Sequence, residues 1–161
     1  MSELLITSSL DSIEEGQAFQ KTLPRHVTIW QYFELPDFHV DEFIEDVDDA
    51  VGGFSAIDIV GLKNDKLGPD NDVPVRLIKS LGSGATLHAL HAVLGSIINE
   101  FEGTIRNPEW AYDGYNPHVT YVNGRALAKN ERAALDSLEL IEKDQTTEDK
   151  IVRKIWKLDK V

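Results

Sequence analysis

Two tripeptides of identical sequence, His26-Val27-Thr28 and His118-Val119-Thr120, occur in this chain of 161 residues. Imidazole titrates near pH 6.5, so of two such groups one can be neutral and the other protonated at neutral pH. That combination suits in-line displacement at phosphorus. One histidine takes a proton from the attacking oxygen and the other gives one to the leaving oxygen, a form of catalysis worth typically about 10²–10⁴-fold. Threonine hydroxyls beside them can donate to the non-bridging phosphoryl oxygens, where charge develops. This chemistry needs no metal and no cofactor. The chain also lacks the dense Asp/His clusters of a two-metal phosphatase.

Chance accounts poorly for the repeat. With eight threonines in the chain, a given His-x-Thr is about a 5% accident, and two among five histidines roughly a 2–3% event. Each copy follows a proline within two residues, Pro24 or Pro117, and each opens an apolar run. On a strand, alternate residues share a face, so each His projects with its Thr while the Val points into the core. A single copy would read as a histidine that merely begins a strand; two with the same middle residue favour function.

The elements that must carry these residues follow from periodicity. Residues 4–10 and 26–33 read as strands, the latter dense in β-branched and aromatic side chains. Between Val40 and Val51, Phe43, Ile44 and Val47 recur at helical spacing with acids opposite, and Gly52-Gly53 follows. Residues 55–63 and 73–78 alternate as two strands around a turn-rich segment, 64–72. Gly82-Ser83-Gly84 leads into a long helix carrying Leu87, Leu90, Leu94, Ile97, Ile98 and Phe101. Residues 103–117 read as loop, 118–122 as strand and 127–135 as helix. Residues 137–141 and 151–158 form two closing strands around the turn 144–149. The result is an α+β chain rather than a βαβ alternation.

Composition sets the bounds. A hydrophobic fraction of 42% and a charged fraction of 27% fit one globular domain spanning residues 1–161. No cysteine is present, which excludes disulfides, thiolate catalysis and Cys-ligated metal. Sixteen Lys and Arg against 28 Asp and Glu give a net charge of −12, a field that repels long nucleic acid. A small nucleotide or short oligonucleotide is the expected partner. Glu3 stands where an export signal needs basic residues, and the longest uncharged stretch, 80–99, is too polar to span a bilayer. The reading is a monomeric cytoplasmic protein.

The sequence is similar to the two-histidine (2H) phosphoesterase superfamily, the LigT-like group of RNA 2′,5′-ligases and cyclic phosphodiesterases. Pro117-His118-Val119-Thr120, preceded by the aromatic Tyr115, matches the second motif of that family, and His26-Val27-Thr28 matches the first. Residues 56–78, 87–101 and the closing hairpin 138–158 resemble its strand–loop–strand, second long helix and last hairpin, so the likeness covers nearly the whole chain. It implies two pseudo-symmetric lobes of antiparallel sheet with outer helices, and a groove carrying one motif from each lobe. It also implies catalytic roles for His26, Thr28, His118 and Thr120. Two features depart from the family pattern: Trp30 stands where a basic residue is frequent, and Leu67-Gly68-Pro69 where Phe-Pro is frequent.

Trp30 and Tyr32 share the strand parity of His26 and are expected to stack on a base or pack beneath a helix. Tyr112 and Tyr115 precede the second motif, with Trp110, where loop aromatics wall a groove. Arg25 is a candidate to offset the acidic field near a phosphate, as are Lys63, Lys66, Arg76 and Arg125. His88 and His91 have helical spacing for a metal, but His91 shares a face with Leu87 and Leu94 and belongs to the core. The expected activity is metal-independent hydrolysis of cyclic phosphates or 2′,5′-linkages in nucleotides or short oligonucleotides. RNA end joining with the same residues and a non-catalytic nucleotide-binding module are the alternatives.

Overall fold

The computed structural model describes residues 1–82 and 86–158. Its strands are β1 (Ser2–Ser9), β2 (Ala18–Phe19), β3 (His26–Leu35), β4 (Ile57–Leu67), β5 (Val73–Ser80), β6 (Thr104–Ile105), β7 (His118–Thr120), β8 (Arg132–Leu135), β9 (Ser137–Lys143) and β10 (Lys150–Lys157). They join in one sheet of order β2-β10-β9-β1-β3-β7-β5-β4-β8, with β6 also on β3. Every pairing is antiparallel. One lobe is built on β1, β3, β9 and β10, the other on β4, β5, β7 and β8, and the β3–β7 pair is the seam. This is the α+β, two-lobed architecture that the resemblance implied.

Two helices, α1 (Val40–Val51) and α2 (Leu87–Glu100), cover one face. α1 buries Val40, Phe43, Val47 and Val51, the stripe that its spacing foretold, and stops where the two glycines begin. Gly52 keeps a right-handed φ of −58°, so it ends the helix without adopting a left-handed cap. The hydroxyl oxygen of Thr86 accepts the Ala89 N–H at 3.0 Å and caps α2. The expected Ser83 and Gly84 lead-in lies outside the described residues. Gly95 lets α2 lie directly on the sheet: a Cβ there would stand 2.7 Å from the Trp30 ring. The main core fills the space between helices and sheet. A smaller cluster, Leu5, Leu23, Ile141 and Val152, lies apart from it, with Phe19 and Tyr32 packed against it.

One element differs from its sequence reading. Residues 127–135, rich in helix formers, are not helical: 132–135 form β8 on the edge of β4. The Gly61 N–H donates to the Glu131 carbonyl and the Asn130 N–H to the Gly61 carbonyl, both at 2.9 Å. Edge pairing satisfies the backbone in place of a helix, and local propensity gives way. The β4–β5 hairpin is also longer than its alternation suggested, because β4 runs on to Leu67 and carries the turn outward.

Candidate active site

The seam sets the site. Val27 pairs with Val119, and both are fully buried in the core. In an antiparallel pair this register places His26 opposite Thr120 and Thr28 opposite His118, all four on the face away from the valines. These four side chains are half-buried. Exchanging the strands about the valine pair maps each motif onto the other, so the imidazoles occupy diagonal corners. Diagonal neighbours in a sheet stand about 7–8 Å apart, with long side chains still in reach of each other.

The rings are held alike. His26 Nδ1 lies 2.8 Å from the Pro24 carbonyl oxygen and His118 Nδ1 2.8 Å from that of Asn116. A carbonyl only accepts, so each Nδ1 carries the hydrogen and each Nε2 is left to take or give a proton. Among the described residues neither Nε2 has a protein partner. Burial pushes both histidines below the ordinary imidazole pKa, while the upstream carbonyls work in the opposite direction. The charge of His118 lowers His26 further, and so does Lys150.

A cleft of about 240 Å³ opens beside the quartet on the Thr28–His118 side. Its far wall is the β4–β5 hairpin tip, Leu67, Gly68, Asn71 and Val73, and its near wall is Trp110, Tyr115 and Asn116. Gly68 (φ +96°) and Asn71 (φ +51°) form the turn, closed by the Asn71 N–H on the Gly68 carbonyl. Gln31 completes the lining, which includes neither lysine nor arginine. An apolar slot with three amide side chains suits an uncharged heteroaromatic ring.

Several expected binding residues lie elsewhere. Trp30 is 1% exposed: its ring stacks on His91 at 4.1 Å and its Nε1–H donates to the His91 carbonyl at 2.7 Å. The cause is a bulge. Thr7 pairs with Thr28 but Ile6 with Trp30, so β3 holds an extra residue and its parity inverts. Trp30 turns into the core, and Gln31 takes the groove-facing place.

Tyr112 also lies away from the cleft, edge-on to Trp30 at 5.4 Å, its hydroxyl accepting from Asn99 Nδ2 at 2.9 Å. Tyr32 packs against the Leu5–Ile141 cluster rather than lining the cleft, and burial pushes its phenol up to about 12. Arg25 is bound at both ends, to Asp11 and to the Ala126 carbonyl, and pins two loops together. Tyr115 does line the cleft, and its hydroxyl donates to the Thr28 carbonyl at 2.9 Å.

Gln31, Asn71 and Asn116 carry no signal in the sequence. Gln31 depends on a bulge that no periodicity reveals, and Asn71 on where a distant turn lands. His91, whose spacing from His88 would also suit a metal, is sandwiched between Trp30 and Tyr115, with Nδ1 on the Ile29 carbonyl and Nε2 accepting the Tyr112 N–H. Among the described residues no group of three His, Cys, Asp or Glu side chains converges as a metal site, and no helix is long and apolar enough to cross a membrane.

No protein-family model matches the chain, and no curated protein matches it. Solved structures do. The chain is similar to TT0787 of Thermus thermophilus, with TM-score 0.62, 12% identity and 99% of each chain covered. It is also similar to E. coli LigT complexed with 3′-AMP, with TM-score 0.59, 13% identity and 98% of each chain covered. A third match, solved as a phosphoesterase, gives TM-score 0.58 at 13% identity over 99% of each chain. The chain thus has the fold of the LigT-like two-histidine phosphoesterases.

Proposed function

We propose that this protein is a metal-independent phosphodiesterase acting on cyclic phosphates or 2′,5′-linkages of nucleotides or short oligonucleotides. The supporting observation is the paired geometry of His26 and His118, each with Nδ1 tied to the carbonyl two residues upstream and Nε2 free on a common face. For a cyclic phosphate, the neutral histidine of the pair takes a proton from water through Nε2 as the oxygen attacks phosphorus. The protonated one passes its Nε2 proton to the departing ribose oxygen, and the ring opens to a phosphomonoester. Thr28 and Thr120 donate to the non-bridging oxygens. The two histidines then stand with protonation reversed, and exchange with solvent resets them.

The amide-lined cleft beside Thr28 and His118 receives the base. Nucleotide complexes of LigT, with 3′-AMP and with NADP+, support a groove of this fold as a nucleotide site. The test is turnover of cyclic and 2′,5′-linked nucleotides in EDTA by the wild type and by His26→Ala and His118→Ala. Activity persisting in EDTA and lost in both variants is expected. Dependence on added metal, or undiminished activity in either variant, overturns the reading.

A further inference from the structure

Two acids are buried among the described residues, and they are satisfied differently. Glu3 pairs with Arg106. Glu139, 1% exposed, pairs with no cation among the described residues, and its carboxylate relies on hydrogen bonds alone. Burial pushes it up to about 7 against the help of those bonds. An apolar side chain would suit the packing better. The next pair on that face of the strands is Leu5 with Ile141, and Ile155 lies opposite Glu139 on β10. All three belong to the small apolar cluster or pack on it. A carboxylate kept where packing favours leucine points to a task other than packing.

Its hydrogen bonds say which task. β9 pairs with β1 only as far as Thr7, which stands opposite Glu139. Beyond that point the carboxylate takes the place of the strand. Oε2 accepts the Thr7 hydroxyl and the Ser9 N–H, each at 3.0 Å, and Oε1 accepts the Ser137 hydroxyl at 2.9 Å. On its other edge β1 pairs with β3, Thr7 with Thr28 and Ser9 with His26. Paired residues share a face, so Glu139, Thr7 and Thr28 form one row on the quartet side of the sheet. The N–H of the following residue, Leu10, holds the Arg25 carbonyl at 2.9 Å, one residue ahead of His26.

We infer that Glu139 is a positioning residue for the phosphoryl site: through Thr7 and Ser9 it holds the end of β1 against which Thr28 and His26 are placed. This rests on the phosphodiesterase reading and adds to it a residue that touches no substrate. Without the carboxylate, the Thr7 hydroxyl and Ser9 N–H are left in the interior with no acceptor, and that end of β1 shifts toward water. His26 and Thr28 shift with it, and a displacement of about 1 Å costs up to roughly 10²-fold in rate.

The experiment measures kcat and KM for adenosine 2′,3′-cyclic phosphate in EDTA, well below the melting temperature. The proteins are the wild type, Glu139→Leu, Glu139→Gln and Thr7→Val. Leucine fills the space without an acceptor, so kcat falls roughly tenfold or more with KM within about twofold. Glutamine can set its amide oxygen where Oε2 stands and turn its NH2 to the Ser137 hydroxyl, which keeps kcat within about threefold of wild type. Thr7→Val keeps the shape of threonine and serves where the leucine variant does not fold; its kcat falls roughly threefold or more. Wild-type kcat in Glu139→Leu, or in Thr7→Val where leucine does not fold, overturns the proposal. So does a glutamine variant that falls as far as leucine. The imidazole Cε1–H resonances, followed by NMR in the same variants, give a reading independent of turnover. That of His26 shifts, while that of His88, exposed on α2, stays in place. If the wild type does not turn over the cyclic phosphate the phosphodiesterase reading fails, while an unmoved His26 resonance overturns the positioning role itself.

Discussion

His91 and the pair His26 and His118 are fastened by the same bond, Nδ1 to a backbone carbonyl, yet they end in opposite roles. His91 gives its second nitrogen to the Tyr112 N–H and both its faces to aromatic rings. It joins β3, α2 and the loop before β7, and has nothing left for chemistry. His26 and His118 stop at one bond and keep Nε2 for the groove. Burial lowers all three, so a shifted pKa does not separate scaffold from catalyst. The unspent nitrogen does.

Breaking the catalytic side gives the largest expected effect. His26→Ala or His118→Ala lowers kcat/KM by about 10²–10⁴-fold in a cyclic phosphate assay, with the melting temperature little changed because both side chains reach solvent. Breaking the scaffold reverses the pattern. Trp30→Ala costs about 3–5 kcal/mol in denaturant unfolding. His91→Phe, which keeps the stack but strands the Tyr112 N–H, costs about 1–3 kcal/mol. A Trp30→Ala protein of unaltered stability would show that the stack carries no weight.

The pH profile sharpens the contrast. The base of the pair must be neutral, so the rate falls as pH drops through its lowered pKa. The acid of the pair must be protonated, so the rate falls as pH rises through its own lowered pKa. The kcat/KM optimum therefore lies on the acid side of about 6.5. Stability has a different dependence. A histidine whose folded pKa is depressed binds fewer protons folded than unfolded, so its contribution is complete above about 6.5 and is lost as pH falls. His91→Phe flattens that acid loss while leaving the position of the rate optimum in place. Tyr112→Phe is the smallest change: it removes one exposed hydrogen bond to Asn99, for at most about 1.5 kcal/mol in thermal unfolding.

Legibility in the sequence follows locality. α1 is readable because four core residues at helical spacing and a terminal Gly-Gly lie within fourteen positions. β8 is not, because Ala133, Ala134 and Leu135 favour helix until β4 offers an edge. The His-Val-Thr repeat is visible as a coincidence of types, whereas strand parity puts Trp30 on the wrong face because a residue inserted in β3 before it inverts the alternation locally, until a second shift restores it by Phe33.

Composition and pattern by themselves determined the chemistry on offer: two imidazoles with hydroxyl partners, no thiols, an acidic surface and alternating strands that point each His and Thr the same way. Tertiary structure decided that the motifs meet. Pairing Val27 with Val119 is a long-range contact whose free energy comes from burying both valines in the main core, and no local preference specifies it. It also decided which aromatic stacks in the core and which amides line the cleft, since each of these depends on register rather than on residue type.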